Sequence, residues 1–304
     1  MIALHQGINV MIHYYRHTFT LLTLIFLLGG CVSWQPAWEQ TPKSGKTADA
    51  ELLLKKAQAL ALKAEDRTTL QNAMSVYNSV LEVDPANYQA LSALGNLYIL
   101  LGAAYTDDRS EKIQLYRKAM RFSEQAMYTN SEFRHRVDLG QKPWEASQAL
   151  TQREVDAMFY WVTAVLYYFK EGMSLPEKIA NVKWIQWSGD FLLRIESLDP
   201  TWGGGGVQFS LALYYGILPQ SMGGDSKKSE AYLDQSFEIG PDWLLNRWGR
   251  AKYFAVRDKN RSRFEADLRW VVDQDIHKAG GDYAWKVYFR RDAEKMLSDI
   301  DQYF

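Results

Sequence analysis

Residues 70–101 read LQNAMSVYNSVLEVDPANYQALSALGNLYILL. In the first half, apolar side chains fall at Leu70, Ala73, Met74, Tyr77, Val80 and Leu81, in steps of three, four or one. That is the spacing of one face of an α-helix. Asp84-Pro85 stops the run, because proline disfavours helical backbone in the residue before it. Leu91, Leu94, Tyr98 and Leu101 then mark a second helix. The same texture recurs over 113–127, 155–169, 179–198, 207–217, 229–239, 243–256, 264–272 and 293–300. Glycine and proline fall between these segments, and no long stretch alternates with a period of two. The chain is therefore expected to be all-α.

Ala73, Tyr77 and Pro85 are spaced four and eight apart, and Gly95 follows ten after Pro85, beside Leu94 and ahead of Tyr98. This resembles the tetratricopeptide pattern, in which an alanine, an aromatic and a proline close one repeat and Leu-Gly and Tyr open the next. Small residues let paired helices approach, and large ones fill the gap. Leu192 and Pro200 repeat the spacing of eight, as do Leu233 and Pro241. One helix pair cannot bury its face alone, so neighbours must stack. The expectation is a TPR-like, helical-repeat array of paired antiparallel helices, a single compact domain over 49–304. A helical bundle with coincidental prolines is the alternative.

Near the start, Arg16 is the only formal charge in the first 30 positions, and an apolar run of ten, 19–28, follows it. Gly29, Gly30 and Cys31 come next, and Cys31 is the only cysteine in 304 residues. A short charged region, a short apolar region and small residues make a secretory signal. The run is too short to cross a bilayer, which takes about 20 residues. Leu28-Gly29-Gly30-Cys31 also resembles a bacterial lipobox, whose cysteine becomes the first mature residue and carries lipid. If Met11 is the start, the signal is 11–30. Residues 31–48, with Pro36, Pro42, Ser44 and Gly45, read as a lipidated cysteine and flexible tether. More than one acyl chain gives a stable anchor. Val32 rather than aspartate after Cys31 resembles the arrangement that sends lipoproteins to the outer membrane.

Removing 1–30 takes one Arg from the 35 basic residues and nothing from the 36 acidic, leaving 34 against 36. The mature chain then carries a net charge of −2 with no basic stripe, so a nucleic-acid partner is not expected. With Cys31 lipidated, no disulfide forms and stability comes from packing. Eleven Trp and eighteen Tyr are many for a helical scaffold. They fill a core of large residues or line a cavity, since apolar pockets have aromatic walls and few polar groups.

Asp199-Pro200-Thr201-Trp202 leads into Gly203, Gly204, Gly205 and Gly206. A phosphate loop would end in Gly-Lys-Ser or Gly-Lys-Thr; here Val207-Gln208-Phe209 follows. The glycines read instead as a tight turn into the helix at Val207. Leu211 to Pro219 and Gly223-Gly224-Asp225 come after, with Asp225 a natural cap for the next helix.

From Trp202 to Asp225 the chain resembles the T component associated with TRAP transporters, and the resemblance extends over most of the mature chain. Ser229 stands where members usually carry Ala, a change that keeps the close packing. The aromatic segment 158–169 is similar to that family's central helix. The resemblance implies a periplasm-facing lipoprotein, a homotrimer with a pore through each subunit, and a substrate-binding protein docked over it. It implies a small hydrophobic or amphipathic ligand and no cofactor. On it, Trp161, Tyr168, Trp202, Phe209, Tyr214 and Tyr215 are candidates for the channel wall, and Gly203, Gly204, Gly205 and Gly206 for its mouth. Ordinary core packing competes as the account of each aromatic.

Two other classes of function compete with this one. After signal removal only His135 and His277 remain, there is no free thiol, and no Gly-x-Ser-x-Gly elbow occurs, so catalysis is not expected. A helical-repeat lipoprotein that assembles envelope complexes without moving a ligand would share every feature except the Gly-rich and Leu-Pro segments.

Overall fold

The computed structural model describes residues 47–304. Cys31, the signal segment and nearly all of the tether lie outside the described residues. Side-chain caps set where the helices begin. Asp66 accepts from the Thr69 backbone N–H at 2.8 Å, while the Thr69 hydroxyl accepts from the Asp66 N–H at 3.1 Å. This reciprocal cap opens α2 (Arg67–Val83), which follows α1 (Thr47–Ala61). Asn87 caps α3 (Tyr88–Ala104), Asp108 caps α4 (Arg109–Tyr128) and Asn130 caps α5 (Ser131–Asp138). Then come α6 (Pro143–Ala146), α7 (Val155–Tyr167), α8 (Leu175–Ala180), α9 (Lys183–Leu198) and α10 (Trp202–Ile217). Asp225 caps α11 (Ser226–Ile239), accepting from the N–H groups of Lys227 and Lys228. The chain closes with α12 (Leu244–Gly249), α13 (Arg261–Asp273) and α14 (Tyr283–Ser298). Among the described residues there is no β-strand, and the fold is all-α, one compact body.

Neighbours in sequence pack as pairs: α1 on α2, α3 on α4, α10 on α11 and α13 on α14. Close approach of α3 and α4 explains the Leu-Gly of the repeat-like stretch. A Cβ at Gly95 would fall 2.6 Å from the Ser123 hydroxyl of α4, and one at Gly102 would fall 2.6 Å from the Tyr116 ring. Around the pairs, α7 packs against α3, α4 and α9. The last helix then returns to the first ones. Asn96 of α3 donates to Asp282 at 3.0 Å, and Arg291 of α14 donates to the Ala104 carbonyl at 2.8 Å. Leu94 and Leu97 share a core cluster with Trp248 and Phe289. These contacts close the chain around the cavity described below.

The structure departs from the periodicity in several places. The segment 155–169 does not end as an α-helix but runs into a π-helical turn, Tyr168–Gly172, and 243–256 does the same at Arg250–Ala255. The span 179–198 is broken: α8 ends at Ala180 and α9 starts at Lys183. The last helix begins at Tyr283 and not at 293, because Tyr283, Trp285 and Tyr288 among charged neighbours obscured its phase. The sequence did not single out α1, α5 or α6, the last two being too short for a period to show. The α1 helix starts at Thr47, inside the expected tether.

Three of the four glycines make a left-handed turn ahead of Val207. Gly203, Gly204 and Gly205 have φ of 64°, 56° and 84°, conformations that side chains resist. The turn is also crowded. A Cβ at Gly204 would lie 2.1 Å from the Trp243 ring, and one at Gly205 would lie 2.5 Å from the Ser236 carbonyl oxygen. At Gly203 nothing lies within 4 Å. Gly205→Ala should therefore cost more than about 2 kcal/mol, and Gly203→Ala only the conformational strain of about 1 kcal/mol, in urea unfolding. Equal losses would show that crowding against α11 is not what fixes the turn.

Candidate functional site

The polar residues of α7 and its π turn locate the site. Over 155–170, tyrosines aside, the only polar side chains are Asp156, Thr163 and Lys170, seven apart on an otherwise apolar segment. A helix apolar all round is buried, and two turns bring each of these three to the same face. That face, with Phe159, Tyr160, Leu166 and Tyr167 between, lines a cavity of about 710 Å³. The opposite wall is α10, through Trp202, Gly203, Gly206, Phe209, Ser210 and Leu213. Trp243, Trp248 and Tyr253 close one side, and Trp285 and Phe289 of α14 another. Tyr160, Tyr167 and Tyr253 sit deep in the protein, yet each keeps open surface, because that surface faces the void.

The polar groups gather toward the two ends. At one, the Trp202 indole N–H donates to Asp156 at 2.7 Å. Asp282 accepts from Asn96, whose own carbonyl accepts from the Trp285 indole at 2.7 Å. Burial raises the Asp156 carboxyl above the usual carboxylate range, and the Trp202 hydrogen bond works against that rise. Burial likewise keeps Tyr160, Tyr167 and Tyr253 protonated well above neutral pH. At the other end, the Lys170 ammonium lies 4.7 Å from the Tyr253 ring centroid. The Lys178 ammonium donates to the Lys170 carbonyl at 2.8 Å. Lining residues reach the outside at both ends, at Gly281 and Asp282 and again at Ile217.

The structure divides the residues singled out from the sequence. Trp202, Phe209, Gly203 and Gly206 line the cavity. Trp161 and Tyr168 do not: they lie on the adjoining face of the same segment, one residue on from the lining Tyr160 and Tyr167. Trp161 is fully buried and donates to Glu124 at 3.0 Å; Tyr168 accepts from Arg117 at 2.8 Å. Tyr214 and Tyr215 are also turned away. A Cβ at Gly189 of α9 would meet the Tyr214 ring at 2.4 Å, and Tyr215 stacks on Tyr232 of α11. Gly204 and Gly205 stand behind the wall, against Trp243 and Ser236. Trp243, Tyr253 and Trp285 were missed, since they come from distant segments. Lys170 carried a signal, the spacing of seven along 156–170.

By fold and site this is an all-helical protein built around an aromatic cavity. A family model for the TRAP transporter T-component matches residues 64–304, most of the chain, and the chain belongs to that family. The family is one of transporter components, not of enzymes, and it places the protein in TRAP transport at the cell envelope. No curated protein matches the sequence. Among the described residues no helix is long and apolar enough to cross a membrane, and no cluster of three His, Cys, Asp or Glu could hold a metal ion.

Lys170 titrates unusually. Burial, with Lys252 adding a second positive charge, lowers it from 10.5 to about 8. Between those values the unfolded chain binds more protons than the folded one, so stability gains as pH rises through that window. Lys170→Met removes the gain. Urea unfolding should show the parent's stability relative to this variant rising from roughly pH 7.5 to roughly pH 9.5. A difference that stays constant would mean the amine feels no burial.

Proposed function

We propose that the protein is a periplasm-facing lipoprotein, anchored through Cys31, that holds or channels a small hydrophobic or amphipathic solute in the cavity. It passes that solute to or from the substrate-binding protein of a TRAP transporter. The observation that carries this reading is the aromatic cavity between α7 and α10, large enough for a small ligand and sparing in polar groups. An apolar solute partitions poorly into water, so a shielded path between a membrane-tethered protein and a binding protein lowers the cost of transfer. Open lining residues at both ends suit a path that is entered at one end and left at the other. The homotrimer, the docked binding protein and the outer-membrane anchor belong to the same proposal and rest on the family resemblance.

The test uses N-phenyl-1-naphthylamine, a neutral apolar fluorophore, titrated into the folded protein. Saturable binding is expected. Leu213→Trp, which fills the cavity from the α10 wall, should weaken it about tenfold while the melting temperature stays near the parent's. Absence of saturable binding, or binding that Leu213→Trp leaves intact, would overturn the cavity as a ligand site. The protein would then be a helical scaffold for envelope assembly.

A further inference from the structure

We propose that the cavity is polarised and takes an amphiphilic monoanion, such as a long-chain carboxylate, with its head group at Lys170 and its tail along α7 toward Trp202. This rests on the cavity being a ligand site and names the class of ligand.

Lys170 and Asp156 lie on the same lining face, 14 residues apart. At 1.5 Å per residue that is about 20 Å of helix, with a base at one end and an acid at the other. Between them the face presents Phe159, Thr163 and Leu166, a mostly apolar track. Lys170 itself stands in the π-helical turn Tyr168–Gly172, and Tyr253 opposite it stands in the π turn Arg250–Ala255. A π turn shifts the side-chain phase of the residues that follow, and such turns recur at functional sites. Here the two π turns bring the ammonium and the aromatic ring together at the cavity wall.

The carboxylates near Lys170 are already engaged. Glu171 accepts from Lys112 at 2.9 Å and from the Tyr116 hydroxyl at 2.8 Å. Asp292 accepts from Lys252 and from the Trp248 indole, each at 2.7 Å. Among the described residues the Lys170 ammonium has no carboxylate within 4.0 Å; its neighbour is the Tyr253 ring. Lys170 keeps open surface at the cavity wall, so its ammonium, with no carboxylate beside it, is reachable by a ligand carboxylate through charge-assisted hydrogen bonds. Lys178, tied to the Lys170 carbonyl, adds a second positive charge at the same end. At the far end Asp156 and Asp282 would repel an anionic head, while Lys286, which lines that end too, has its ammonium held by the Ala279 carbonyl at 2.7 Å; two carboxylates against one tethered lysine favour the head at Lys170.

The experiment displaces N-phenyl-1-naphthylamine from the folded protein with dodecanoate, dodecan-1-ol and dodecyltrimethylammonium, each below its micelle concentration. Dodecanoate should bind about tenfold more tightly than the alcohol, with the cationic amphiphile weakest. Lys170→Met should cost dodecanoate about tenfold and leave dodecan-1-ol within about twofold, while Lys170→Arg keeps the preference. Equal binding of dodecanoate and dodecan-1-ol to the parent would overturn the head-group site and leave the apolar cavity standing. A Lys170→Met variant that loses both equally would mark the lysine as structural and overturn the inference too. If the fluorophore itself fails to bind, the cavity reading falls and this inference falls with it.

Discussion

The structure depends on a constraint placed on one helix. α7 is apolar nearly all round, yet it meets two different surroundings. On one face Val155, Met158, Trp161, Val162 and Val165 are buried against neighbouring helices in close packing. On the other, Phe159, Tyr160, Leu166 and Tyr167 look into open space. A void lined by such groups forgoes the dispersion contacts that packing would supply. It persists because the rest of the molecule holds its walls apart.

That support is distributed. The Gly203–Gly205 turn sets the entry of α10 and braces it against Trp243 and α11, leaving no room for a Cβ at Gly204 or Gly205. The Asn246 side-chain amide lies within hydrogen-bond reach of the Gly204, Ser236 and Gly240 carbonyls, tying the turn to two other segments. The return of α14 onto α3 closes the remaining side. Asp267 pairs with Arg247 and Arg250, fixing α13 to α12 and its π turn. The Asn246 and Asp267 contacts lie behind the lining residues, whereas Trp243 and the Asn96–Asp282–Trp285 contacts are part of the wall itself.

The lining residues also carry the chemistry. Membership in a family of transporter components fits walls that hold and release better than groups poised to react. The same glycines that could suggest a phosphate loop serve as backbone thinning beside an indole. The tyrosines facing the void stay neutral through burial, so the charges there belong to Asp156, Asp282 and a few lysines. Those charges, set apart along the cavity, give it a direction that an aromatic lining alone would lack.

The helix pattern over 70–101, the cap at Asp225 and the glycine turn before Val207 were legible because each depends on residues within a few positions of one another. Helical class and family followed from such local features. Which aromatics face the cavity was only half legible. Trp202 and Phe209 face it, whereas Trp161 and Tyr168 sit one residue past the lining face, because composition marks an aromatic segment without giving its rotation. The stripe at 156, 163 and 170 held that rotation, as polar residues on an apolar helix must face something other than core. The π turns, the Trp243 plug and the closure of α14 onto α3 were decided by tertiary structure alone. They pair residues up to 189 positions apart, and no local spacing encodes which distant surfaces will meet.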